Sequence, residues 1–124
     1  MKEIKETLKI NYKQKRGKGI FRLMGFEDHG HHIVYIPSLN LSAYGATPEE
    51  AQAMMGDVVL EDFFETLFEQ PENSIFDHLR KLGWQKSPLY PKELSNNAHV
   101  DRNGILNDFN LSTETKITET LVEV

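Results

Sequence analysis

Three histidines stand within four positions, His29, His31 and His32, directly after Glu27 and Asp28. Imidazole and carboxylate are ligands that zinc and nickel accept, so this is the one group in the chain with metal-ligand chemistry at close spacing. Neighbouring residues of a turn seldom aim their rings at one centre, and no Cys or H-E-x-x-H pattern supports a built site. The spacing therefore predicts a solvated turn, with no metal and no cofactor.

A second group is cationic. Lys13, Lys15, Arg16 and Lys18 lie within six residues, interrupted only by Gln14 and Gly17. Together with Lys9 they could follow a nucleic-acid phosphate backbone. They equally suit a solvated hairpin tip that protects an edge strand from pairing. Only Tyr12 and Phe21 are interleaved with them, fewer aromatics than a base-stacking platform uses.

A third group is acidic and apolar. Glu61, Asp62, Glu65 and Glu69 border Phe63, Phe64, Leu67 and Phe68 at helical spacing. Glu61, Asp62, Phe64, Glu65 and Phe68 are thus candidate partner-binding residues, because complementary charge would steer a basic protein to that face. Methionine and phenylalanine at this spacing also build cores, and a second helix covering the arc is the competing reading. No Gly-rich phosphate loop and no local nucleophile signature is present, so a non-catalytic protein is expected.

The elements that would carry these groups follow from periodicity and turn chemistry. Alternation of Leu8, Ile10 and Tyr12 with Lys9 and Asn11 suggests a strand from Ile4 to Tyr12. Lys13 to Gly19 reads as a loop, Ile20 to Phe26 as a buried strand, and Gly30 closes a hairpin onto Ile33 to Ile36. Pro37 cannot donate to a ladder, so pairing breaks there before Leu39, Leu41 and Ala43 resume the alternation. Thr47, Pro48 and Glu50 form a Thr-x-x-Glu helix start, and Pro71 ends that helix near Glu69. Its inner stripe would be Ala51, Met54, Met55 and Val58, continued by Leu60, Phe63, Phe64, Leu67 and Phe68. Ser74 is placed to cap a second helix that stops at Gly83, with Trp84 folding back onto the core. Residues 85 to 112 show no sustained period and read as a long loop, and Lys116 to Val124 as a terminal strand.

Pro37-x-Leu39, the alternating run to Gly45 and Gly45-x-Thr47-x-Glu49-Glu50-Ala51 resemble the core signature of the HicB-like antitoxin family. Asn40-Leu41-Ser42 looks like that family's shorter variant of the segment after the leucine. The resemblance implies a partial RNase H fold with a βββαβ core, dimerisation, and neutralisation of a small basic toxin ribonuclease. Family antitoxins often add an operator-binding domain, and no helix-turn-helix or ribbon-helix-helix segment is found here.

The 124 residues suit one domain of α+β class: a small antiparallel-rich sheet, one long helix packed on it, a second short helix and a C-terminal strand. Within it, 1–19 form a basic strand and arm, 20–70 the βββα core, 71–112 a short helix and long loop, and 113–124 the last strand. Cysteine is absent, which removes disulfides and thiolate chemistry and suits a reducing cytoplasm. No apolar run is long enough to span a bilayer, so no membrane partner is expected. The net charge of -5 hides an asymmetry: residues 1 to 22 carry +6 and the rest -11. Two classes of partner follow: a basic protein on the acidic body, or a nucleic acid on the basic arm.

Overall fold

The computed structural model describes residues 6–87, 93–96 and 102–124. Three hairpins open the chain: β1 (Glu6–Asn11), β2 (Arg16–Asp28), β3 (His31–Ile36) and β4 (Leu41–Gly45). Each turn uses a left-handed backbone where its sequence tolerates one, at Lys15, at His29 with Gly30, and at Asn40. His29 and Gly30 have φ of +52° and +81°, the two-residue geometry that matches strand twist. At the first turn the Asn11 side chain accepts the Gln14 N–H at 3.0 Å.

The long helix follows as α1 (Pro48–Met54), a π-helical turn (Met55–Val59) and α2 (Leu60–Phe68). Thr47 is extended and its Oγ1 accepts the Glu50 N–H at 3.1 Å, so the predicted cap is formed. The π-turn changes which residues face inward. Ala51 and Met55 are buried, and the inward stripe resumes five residues on at Leu60 and then Leu67 and Phe68. Met54 and Val58, expected inside, are exposed because the wider turn inserts one residue into the α-period.

α3 (Glu72–Lys81) begins at Pro71 rather than at Ser74, without a side-chain cap, and buries Ile75 and Leu79. Gly83 takes φ +99° after it and releases the chain into β5 (Trp84–Lys86). The stretch expected as a loop instead contains β5, β6 (Glu93–Asn96) and α4 (Arg102–Asp108). Asn110, at φ +53°, and the Leu111 N–H bond to the Leu106 carbonyl close off α4. The terminal strand is β7 (Thr118–Glu123). Among the described residues no helix is long and apolar enough to cross a membrane.

Hydrogen bonding links the strands as β4-β3-β2-β1-β6-β5, all antiparallel, and β7 also pairs with β2. Ile20 pairs with both Thr7 of β1 and Glu123 of β7, whereas Met24 pairs with both Tyr35 of β3 and Glu119 of β7. A strand has only two edges, so β1 and β3 follow one another along one edge of β2 while β7 runs along the other. The sheet is therefore split into two wings sharing β2 and β7.

Alternation along β2 divides the core. Phe21 and Leu23 join Leu8, Ile10, Val34, Ile36 and Trp84 beneath α1 to α3. Met24 and Phe26 face the other way, meeting Tyr35 and Ile105, with Phe109, Leu111 and Ile117 packed around them. The indole of Trp84 meets Phe21 edge-on at 5.9 Å. The outer face of the β1 wing carries no such cluster among the described residues.

Candidate functional site

Along β2 the described pairs with β1 stop at Ile20 and those with β3 start at Met24, and between them the Arg22 N–H meets a side chain. It is that of Glu6, whose Oε2 accepts that N–H at 3.1 Å and also the Ser38 hydroxyl. The Ser38 carbonyl in turn accepts the Trp84 indole N–H at 2.9 Å. Glu6, Ser38 and Trp84 are all buried, and burial pushes the Glu6 carboxyl above its ordinary value despite the Ser38 and Arg22 donors. The cluster stands beside the β2 edge as a buried side-chain clasp between β1, the β3–β4 turn and Trp84. The period-two alternation that buries Leu8 and Ile10 puts Glu6 on the same face, a signal its charged side chain masks in the sequence.

The acidic face is real and differs from expectation in its apolar part. Glu61, Asp62 and Glu65 are exposed along α2. Phe64 is turned down onto β2, so close that a Cβ on Gly17 would lie 2.5 Å from its ring. Phe68 is buried, 7% exposed, in the main core. Those two phenylalanines hold the helix to the sheet, and the accessible apolar surface lies instead in a groove between α2 and α3. Leu41, Val59, Asp62, Phe63, Thr66 and His78 help line this groove of about 350 Å³. Phe63 and His78 meet edge-on across it at 6.2 Å. Residues 48 to 81, which build the helical layer, hold nine acidic residues and two basic ones.

The basic residues are arranged differently from a floppy tip. Lys13 and Lys15 sit in the exposed turn, but Arg16 and Lys18 belong to β2 and point outward from its open face. Lys18 lies directly opposite Lys9, and Arg16 opposite Asn11. With Gln14 and Glu93 they line a concavity of about 440 Å³. Gln14, Asn11 and Glu93 were not singled out by sequence reasoning. The period-two pattern of β1 is the signal that could have placed Asn11 beside Lys9.

The histidines do not converge. His29 Nδ1 lies 2.7 Å from Asp28 Oδ1 within the exposed turn, and His31 and His32 point to opposite faces of β3. Among the described residues no group of three His, Cys, Asp or Glu side chains could hold a metal ion.

No family model matches this chain, and no curated protein or solved structure matches it significantly.

Proposed function

We propose that the protein is a non-catalytic interaction module of the HicB-type antitoxin kind, which dimerises and neutralises a small basic toxin ribonuclease on its helical face. The observation that carries the reading is the groove between α2 and α3, an apolar floor of Phe63, Val59 and Leu41 beside Asp62, Glu61 and Glu65. Such a surface offers an apolar anchor pocket within a field of one sign, the combination that steers a basic partner in and then retains it. The edge of β4, at one end of the order of the described strands and bearing the 68% exposed Tyr44, is where a second copy would add. The buried Glu6 and Tyr35 and the half-buried Tyr12 have raised values caused chiefly by desolvation, which suits structural roles.

The test is co-purification from the source cell with the wild-type chain and with a variant carrying Glu61→Lys, Asp62→Lys and Glu65→Lys. A small basic protein retained by the first and lost from the second is the expected result. If such a protein is encoded beside this chain and binds both forms alike, the helical face is not its docking surface and the proposal fails.

A further inference from the structure

We infer that the open face of the β1–β2 hairpin is a second binding site, for the phosphate backbone of a nucleic-acid duplex. It is independent of the helical groove and lies on the opposite side of the sheet. Lys9, Arg16 and Lys18 supply the charge, and the carboxamides of Asn11 and Gln14 supply neutral hydrogen-bonding groups, around one concavity of about 440 Å³.

Three features point to this ligand. The first is cost: Lys18 is directly opposed to Lys9 across the β1–β2 ladder, where like charges destabilise a sheet, and Glu93, opposite Lys9 on the β1–β6 side, offsets only part of an excess of three cations over one carboxylate. Among the described residues, none of the salt bridges involves Lys9, Arg16 or Lys18, and Glu93 is the one carboxylate lining the cavity. A polyanion would turn that repulsion into binding energy through displaced counterions.

The second feature is the lack of an apolar anchor. Protein interfaces are centred on buried aromatic or aliphatic side chains, and among the described residues the only apolar one lining this concavity is Ile10, which belongs to the core on the other face. Among the described residues, that lining favours a phosphodiester chain over an acidic protein. The same lack of aromatics disfavours unpaired bases, which bind by stacking. Arginine, lysine and carboxamide groups are those that contact phosphates without reading sequence.

The third is separation from the acidic layer. The exposed acids of α2 stand on the helical side of the sheet, while at the hairpin itself burial and, after it, the nearby Glu72 of α3 push the Tyr12 phenol up. At physiological salt, charge is screened over about 8 Å, which limits how far the helical acids offset the cations of the outer face.

The experiment is fluorescence anisotropy with one sequence offered as duplex DNA, duplex RNA and single strand, from about 50 mM to about 200 mM salt. The wild-type chain should bind a duplex with a dissociation constant of about 1–100 µM at the lower salt, on a log–log salt slope near -3 for about three phosphate contacts. Replacing Arg16→Gln and Lys18→Gln together should weaken binding at least about tenfold and flatten the slope by about two units. Circular dichroism would confirm that these exposed substitutions leave the fold intact. Glu61→Gln with Glu65→Gln should leave duplex binding in place, separating this site from the helical face. No duplex binding at about 50 mM salt, an unchanged slope in the Arg16/Lys18 variant, or preference for the single strand would each overturn the inference.

Discussion

The two ends of β2 are made of one continuous strand and are buried on opposite sides. At the Arg16 end the inner side is pressed under α2, with Gly17 beneath the Phe64 ring, while the outer side is bare and basic. At the Asp28 end the outer side is covered instead: Phe26 meets Phe109 at 5.0 Å and Tyr35 meets it at 4.9 Å. Only the middle is enclosed on both sides, and there Leu23 and Met24 are consecutive buried residues facing different cores. A continuous apolar run along a strand therefore marks where two layers overlap, and the alternating ends show which layer is missing.

That contrast can be broken most directly by deleting an aromatic from each side. Trp84→Ala should cost about 3–5 kcal/mol, since the indole is fully buried, packs on Phe21 and donates to Ser38. Phe109→Ala removes a half-buried ring and should cost clearly less. Urea denaturation midpoints of the two variants would show it, and equal losses would mean that the α4 side is as much core as the helical side. Next in size, Gly17→Ala should lose about 1–3 kcal/mol by driving a methyl into Phe64. Adding Phe64→Leu should return part of that loss, and simple additivity would show that the glycine is not required by the ring.

The smallest effect concerns the seam. Burial raises the Glu6 value, so the folded state holds its proton more tightly than the unfolded chain does. The stability linked to this group is fully present below its ordinary value of 4.5 and is lost as pH rises through the folded value. Glu6→Gln, which can still accept from Ser38 and from the Arg22 N–H, should flatten that decline and raise the melting temperature near neutrality. A melting temperature that falls in the variant across the whole range would show that the charge itself is stabilising.

The joints of the chain were legible because each carries its own local chemistry. Thr47 and Pro48 announced the helix, His29-Gly30 the tight hairpin, and Ile20 to Phe26 the doubly covered strand. Arg16 to Gly19 read as a loop because glycine is ambiguous from sequence. Here Gly17 and Gly19 allow close approach of Phe64 and of the Thr7 carbonyl instead of a bend. β5 and β6 escaped notice because three- and four-residue strands are too short to show a period, and β6 is paired with β1 some ninety positions earlier. The π-turn likewise has no compositional signature, so the inner stripe was followed through Met54 and Val58 when it actually passes from Met55 to Leu60. Of the candidate sites, residue types were evident and their grouping was not, since register and burial decide which side chains share a face.

The interrupted edge of β2 leaves the two wings without a direct ladder between them. Where a run of backbone bonds would make such a join uniform, here the clasp at Ser38 and the straight run of β7 must hold it. Any warping of one wing, as on gripping a ligand, would therefore reach the other through that clasp, the run of β7 and the core shared under the helices.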